Sequence, residues 1–518
     1  MSTDPPGPRP GGSLSSGPTL ACVSDLPHLL REALVRADFT YDAVAGLLGR
    51  QAHDALARNE TTPGLLATGD GSPLATLVRL FLLQTAVSRD AAERALPGLL
   101  DAMAAQGLVE QSVGEVAARL DVRPYATDHA DETAHLWVVS DLTPGLDGLP
   151  QRVGGDHVLG ISPASTSLAQ LTLREEVDRS LDLGTGCGVQ ALHLARHSGR
   201  VVATDVNAKA LRLTRFNAAL NDVADRVDVR DGSFFEPVAG ERFDLIATNP
   251  PFVISPATGE RLVYRDSGLP GDRVVEDIVR AAPDHLTEGG WCQVLANWVI
   301  ARDTPWDERL AGWVADDCDA LVVQREVLDP AAYVELWLKD AGQHPSTGGA
   351  SAEDYRRRYD TWLSWFDEQG VEAVGFGWIN LRRGASAAPD TAARTLLDWP
   401  YEVEQPVAPA VRDWGRAADV VVEAGSRLVL RVDVLQETVG APGAEDPETI
   451  VLRQQRGLRR ARKVDTVEAA LAGACDGELS IGQILDAVAD LLDRDAADLR
   501  AQYLPVVAEL VREGFLVA

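Results

Sequence analysis

The sequence predicts an α/β protein organised around a parallel sheet, and three observations predict it. From about Asp156 to Arg383, short β-branched runs alternate with stretches of helical periodicity. A glycine-rich turn, LGTGCG, follows the run that ends at Leu183. Further on, the strand-like run FDLIAT leads straight into Asn249-Pro250-Pro251-Phe252. The flanks lack this alternation, the N-terminal one reading as mainly helical and the C-terminal one as mixed α/β.

At 518 residues the chain exceeds one ordinary core, and at about 100–200 residues per domain it divides into roughly three. Residues 1–20 are rich in Pro, Gly and Ser and are expected to be a disordered tail. A helical domain is expected over 21–150, the α/β domain over 151–385, and an accessory domain over 386–518. A composition of 45% hydrophobic and 24% charged residues is that of a soluble globular protein. No apolar run approaches the ~18 residues a membrane helix needs, and the opening MSTDPPGPRPGG lacks the order of a signal peptide. No membrane association and a cytoplasmic location are therefore expected. The five cysteines form no CxxC pair, so neither a disulfide framework nor a metal site is expected. A net charge of −30 disfavours the surface as a whole for nucleic acid, leaving a local basic patch as the only electrostatic route.

Within the N-terminal region the pattern turns helical from Ser24, with Leu29, Leu30, Ala33 and Leu34 on one face and Gly49 as a stop. Leu74 to Val109 reads as a helix, a break at Val87-Ser88, and two more helices, a winged-helix-like unit. A related shape recurs where Ile481–Leu492 and Leu499–Val511 read as helices before a glycine and a short closing strand. Such units bind nucleic acid in some proteins and only pack against partners in others, so no function follows from the shape.

The run VDRSLDLGTGCGVQALHLARHSGRVVATDV contains a strand, a turn bearing Gly184, Gly186 and Gly188, a helix, and a second strand ending in Asp205. Glycines are needed where a tight turn brings backbone close to a ligand that a Cβ would obstruct. A carboxylate after the second strand suits a vicinal ribose diol. LDLGTGCG, with Asp182 before the turn and Asp205 about 20 residues on, resembles the first two motifs of the class I methyltransferases. The resemblance implies a Rossmann-like sheet of seven strands and S-adenosylmethionine as cofactor. It makes Asp182, Gly184, Gly186, Gly188 and Asp205 binding residues, with Cys187 a small filler. It also places an adenine contact after the third strand, where Asp231 and Ser233 are both candidates.

Asn249-Pro250-Pro251-Phe252 stands at the end of the expected fourth strand and resembles the (N/D/S)PP(Y/F/W) motif of enzymes that methylate adenine, guanine-N2 or glutamine amide nitrogens. Such nitrogens are poor nucleophiles because the lone pair is delocalised. The Asn249 side-chain oxygen and the Pro250 carbonyl can accept both N–H bonds and aim the lone pair. Two prolines fix φ near −65° and so set the carbonyl direction in advance. Phe252 can stack on a flat substrate. Asn249, Pro250 and Phe252 are thus the expected catalytic residues, working by orientation and electrostatics.

Residues from about Asp156 to Trp298 resemble the small-domain methyltransferases, both the HemK-type release-factor glutamine enzymes and the ribosomal RNA guanine-N2 enzymes. Phe252, in place of the tyrosine usual in the glutamine group, and the strand WCQVLANW lean towards RNA. The loop VYRDSGLPGDRVVEDIVRAAPDHLTEGG leans towards the glutamine enzymes, with Arg265 and Asp266 as substrate contacts or a surface ion pair. The first expectation is a macromolecular substrate and an N-methyltransferase acting on a base in ribosomal or transfer RNA. The alternatives are a protein glutamine side chain, DNA adenine, or a cofactor-binding regulatory or interaction module. Arg453, Arg456, Arg459, Arg460, Arg462 and Lys463 in RQQRGLRRARK could track phosphates or dock against acidic segments. Asn207 and Asn217 read as cap or surface amides, and His193 and His197 as packing or surface residues. Tyr359, Trp362, Leu363 and Phe366 read as a core face of a helical insertion.

Overall fold

Alternating small and β-branched residues between positions 177 and 398 pair into one eight-stranded sheet in the computed structural model of the protein, which describes residues 25–129, 132–148, 154–256, 269–347, 350–384, 392–441 and 447–518. Its strands are β1 (Val177–Leu183), β2 (Ser198–Asp205), β3 (Val227–Asp231), β4 (Phe243–Thr248), β5 (Leu286–Ala301), β6 (Cys318–Leu328), β7 (Val371–Arg383) and β8 (Arg394–Asp398). They lie in the order β8-β6-β7-β5-β4-β1-β2-β3. The strands from β1 to β5 pair in parallel, whereas β7 runs antiparallel to both β5 and β6. Strand order reverses between β1 and β4, and the carboxyl ends of strands at such a switch point are the usual ligand position in sheets of this kind.

Period-two alternation sorts the sheet into two buried faces. Val201, Ala203, Leu245, Ala247, Leu321 and Val323 point into one core, while Leu181, Leu183, Val202, Ile246, Val294 and Val322 point into the other. Seven strands were expected and eight are present. The short run RTLLD, assigned from sequence to the C-terminal region, adds β8 in parallel to β6, from Ala320↔Arg394 to Gln324↔Asp398. It covers what would otherwise be a long exposed edge.

The N-terminal region contributes to the first core without a break: Leu30, Leu34, Phe81 and Trp137 belong to the same buried cluster as Leu192, Ala210 and Leu213. Gly49 breaks the span Tyr41–Leu56 into two helical pieces, its φ of +66° and ψ of 165° being non-helical, so the helix before it does stop there. Residues 73–118 form helical segments, a strand at Val87–Ser88, two short helices (Arg89–Ala95, Leu100–Ala105) and a hairpin, with Val87–Ser88 paired to Glu115–Ala118. This is the winged-helix order. The helix Leu100–Ala105 carries Asp101 but no Lys or Arg, so it lacks the cations that phosphate contact requires.

A long hairpin, Leu120–His129 and Glu132–Asp141, then clamps onto the helix Ala208–Leu220. Asn217 Oδ1 accepts the Val139 N–H (2.8 Å) and its Nδ2 donates to the Val139 carbonyl (2.8 Å). Asn221 does the same for Trp137, at 2.9 and 2.8 Å. A four-residue helical step rises about 6 Å and a two-residue strand step about 6.7 Å, so two amides one turn apart satisfy two alternate strand residues. Asn217 is therefore a fully buried docking amide instead of a surface one, whereas Asn207 is a helix cap, accepting the Lys209 N–H at 2.9 Å. Asn221→Ala would leave the buried Trp137 N–H unpaired, and a loss of about 1–3 kcal/mol is expected in chemical denaturation.

Towards the C-terminus the helix Ala408–Ala418 lies on the sheet, its Trp414 ring edge-on to Trp291 at 6.2 Å. Helices Thr466–Ala474, Ile481–Leu491 and Ala496–Arg512 follow, each with a carboxylate or serine cap, and Leu516–Val517 pairs with Val429–Leu430. Val429 also bridges to Asp476. Helix, short bridge, two helices and strand thus repeat the N-terminal order, with residues 429–430 standing where the wing partner would be. Among the described residues no helix is long and apolar enough to cross a membrane. The tail 1–20 and the expected domain boundaries at 150 and 385 lie outside the described residues.

Candidate functional site

Leu183 of β1 and Thr248 of β4 are register partners at the switch point, and the Thr248 hydroxyl ties the two strand ends by donating to the Leu183 carbonyl at 2.7 Å. Everything at the site is arranged around that seam. After Leu183 the chain turns through Gly184, Gly186 and Gly188, whose φ values are +76°, +57° and +89°. A Cβ built at Gly184 or Gly186 would meet nothing within 4 Å, so these residues face open space, whereas one at Gly188 would lie 3.1 Å from Thr214 Cγ2. Thr214 also donates its hydroxyl to the Gly186 carbonyl (3.0 Å), and Asn217 reaches the Cys187 carbonyl (2.8 Å). The helix Ala208–Leu220 therefore holds the loop from below. Burial pushes the Cys187 thiol up to about 12, in keeping with a filler.

Asp182 is buried under the turn, where its Oδ2 accepts the Thr185 hydroxyl (2.6 Å) and the Ala191 N–H (2.9 Å). Burial outweighs both bonds and raises its carboxyl to about 7. Its visible work is to shape the loop. Asp205 closes β2 with Oδ2 on the Gly186 N–H (2.9 Å) and Oδ1 on the Asn207 N–H (2.8 Å). Its carboxyl is raised, by burial first, while those bonds act the other way and Asp231 adds repulsion. Asp231 is its register partner on β3 and is exposed; Ser233, two residues on, is half-buried. The structure thus gathers Asp182, Gly184, Gly186, Gly188, Asp205, Asp231 and Ser233 along the carboxyl ends of three adjacent strands.

Across the seam, Asn249 follows Thr248 directly. Among the described residues its Oδ1 is buried and has no hydrogen-bond partner, an arrangement that costs about 1–3 kcal/mol unless something occupies it. Pro250 is buried and Phe252 half-buried, its ring meeting Trp337 edge-on at 6.2 Å. Ile254 N–H donates to the Tyr333 hydroxyl at 2.9 Å. Sequence reasoning missed Tyr333, Trp337 and Thr214, because their link to the motif or the turn lies in the tertiary fold. Arg265 and Asp266 fall outside the described residues.

Two other candidates are placed away from the seam. The helix after the glycine turn stops at Leu194, so His193 lies on it and His197 beyond it, both buried. His193 Nε2 meets the Tyr125 hydroxyl at 3.1 Å, and burial takes its imidazole down to about 3. It is therefore neutral in the fold while the unfolded chain protonates near 6.5. The stability tied to it is complete above 6.5 and is lost as pH falls towards 3. His193→Gln is expected to flatten the fall of melting temperature between pH 6.5 and about 4. The basic run sits on the hairpin Thr449–Gln454 and Ala461–Val464. Arg453 pairs with Glu437 (2.7 Å), Arg459 with Glu402 (3.6 Å), and Arg462 with Glu468, Glu509 and Glu513 (3.0–3.1 Å). Of the two readings open for this run, docking against acidic segments is the one its contacts display.

Residues 160–304 match the family model of the methyltransferase small domain. The central domain is a methyltransferase small domain. Residues 36–119 and 410–518 match two further families, each described as a domain of unknown function. The release factor glutamine methyltransferase of Xylella fastidiosa is 36% identical over 132 residues, covering 23% of this chain and 47% of the relative. A ribosomal protein uL3 glutamine methyltransferase of Bradyrhizobium diazoefficiens is 36% identical over 124 residues, covering 22% and 39%. The chain spans less than half the length of these curated relatives. An rRNA methylase structure from Streptococcus thermophilus aligns over 43% of this chain and 94% of that one, at 11% identity and a TM-score of 0.24, too slight a likeness to bear on substrate. The methyltransferase small domain implies S-adenosylmethionine, and the residues present fit it: open glycine backbone, a strand-end carboxylate at Asp205 beside the turn, and an Asn249 oxygen that has no hydrogen-bond partner among the described residues.

Proposed function

We propose that this protein is an S-adenosylmethionine-dependent N-methyltransferase whose acceptor is the side-chain amide of a glutamine in a protein. One observation carries the chemistry: a buried Asn249 oxygen, without a hydrogen-bond partner among the described residues, beside the glycine loop. An NH₂ group offers two donors and needs two acceptors to hold its plane. The Asn249 Oδ1 and the Pro250 carbonyl are such a pair, and an acceptor already desolvated gives up no water when the amide arrives. Phe252 would lie against the flat face of the amide. The cofactor, when bound, supplies a methyl group already activated on a sulfonium.

In this reading Gly184, Gly186 and Gly188 admit the amino-acid end of the cofactor, with Asp182 shaping their loop. Asp205 receives the ribose, and Asp231 or Ser233 the adenine amino group. For the substrate class, the relatives named as glutamine methyltransferases and the ion pairs of Arg453, Arg459 and Arg462 in the basic run both weigh against the RNA base expected from sequence. We divide the chain at about residue 150 and, because β8 belongs to the central sheet, beyond Asp398 instead of at 385, with both flanks handling the acceptor protein.

The test is transfer of labelled methyl from S-adenosylmethionine to separated protein and RNA fractions, followed by fragmentation of any labelled protein. Label on a glutamine side chain is the expected result. Label in RNA alone would reject the glutamine reading, and no label despite cofactor binding would reject methyl transfer to either macromolecule.

A further inference from the structure

The acceptor segment is poorly supported by its own backbone. Residues 249–256 form neither helix nor strand, and Pro250 and Pro251 have no N–H to donate. What fixes it comes from elsewhere in the chain. β6 ends on the same sheet edge as β4, because β7 runs antiparallel to both β6 and β5 while β5 runs parallel to β4. From that edge the chain enters an insertion of two helices, Pro330–Asp340 and Ala352–Glu368. Tyr333, in the first turn of that insertion, is wholly buried. Its ring is enclosed by Trp362, Phe366 and Phe376 at centroid distances of 6.5, 6.0 and 5.7 Å. Its hydroxyl receives the Ile254 N–H at 2.9 Å and the Asn297 amide at 3.4 Å. One helical turn on, Trp337 meets Phe252.

We propose that Tyr333 is a positioning residue for methyl transfer, the insertion between β6 and β7 acting through its hydroxyl on the Ile254 N–H to hold Asn249, Pro250 and Phe252 in register with the cofactor loop. The inference rests on the methyl-transfer reading above. Where catalysis is mainly orientation, displacement of the acceptors by an ångström costs about 100-fold. The enclosing aromatic rings leave the hydroxyl little freedom, so the fixed point is rigid. Removing the oxygen leaves a buried N–H that the segment can satisfy only by moving.

The experiment compares the full-length chain with Tyr333→Phe, which keeps the ring, and with Tyr359→Phe. The latter removes a hydroxyl bonded within the same insertion, to Glu335 and Ala331, instead of to the acceptor segment. Tyr333→Phe is expected to lower kcat by about 10- to 100-fold, with KM and Kd for S-adenosylmethionine within about twofold of wild type, and to speed amide exchange at Ile254. Tyr359→Phe is expected to retain wild-type kcat. Equal kcat in Tyr333→Phe and wild type, an equal loss in both variants, or a loss that follows cofactor affinity would each overturn the proposal. Failure of the underlying reading looks different: wild type itself transfers no methyl group. In that case unchanged exchange at Ile254 in Tyr333→Phe would reject the anchoring as well.

Discussion

Asn249→Ala is expected to lower kcat by about 100- to 1,000-fold while leaving the affinity for S-adenosylmethionine within about twofold of wild type. The figure is that for deleting one preorganised polar group facing the reacting centre. The split between the two measurements follows from position. Asn249 stands across the seam from the glycine turn, and its Oδ1 makes no hydrogen bond among the described residues, so no fold-supporting bond of that oxygen is lost. A melting temperature unchanged or slightly raised should accompany the loss, because an unsatisfied buried acceptor has been removed. Single-turnover rates and calorimetric cofactor binding together check the prediction. Full turnover in the variant would remove Asn249 from the reaction.

Gly188→Ala is expected to do the reverse, weakening cofactor binding at least tenfold before any effect on the chemical step. At φ +89° an alanine is strained by roughly 1–2 kcal/mol. Its Cβ would also lie 3.1 Å from Thr214 Cγ2 and 3.3 Å from Thr214 Cα. The second contact is with the backbone of a helix, which cannot swing aside as a side chain can. Pushing Thr214 away strains its bond to the Gly186 carbonyl, so the turn itself must shift. Gly186→Ala is the informative companion, since its Cβ meets no protein atom and would cost only backbone strain plus whatever it takes from the ligand's space. Calorimetry on both variants, with melting curves, checks the argument; wild-type affinity in Gly188→Ala would refute it.

Both of those features were legible in sequence because each is contiguous and depends on backbone properties unique to its residue types. Only glycine tolerates three left-handed positions in five residues, and two consecutive prolines after a strand leave little choice of path. Strands β1, β2, β4 and β5 were legible too, since a sheet buried on both faces demands near-continuous apolar runs. What escaped is long-range. RTLLD is five residues with no turn signal, and only the exposed edge of β6 shows why it pairs there. Asn217 and Asn221 look like any helical asparagines until the hairpin 120–141 is laid across them. The basic run stayed open between tracking phosphates and docking against acidic segments because its carboxylate partners, apart from Glu468, lie well away in sequence. Tyr333 had no signal at all, being an aromatic residue among aromatics, about 80 positions after the segment it holds.

The paired asparagine clamp also limits how the molecule can move. Because Val139 and Trp137 hang on Asn217 and Asn221, on and just past the helix that supports the glycine turn, the described residues from 25 to 141 cannot pivot like an arm on a tether. They should melt together with the central sheet in a single calorimetric transition, so a substrate carried on this region would not be swung towards the glycine turn.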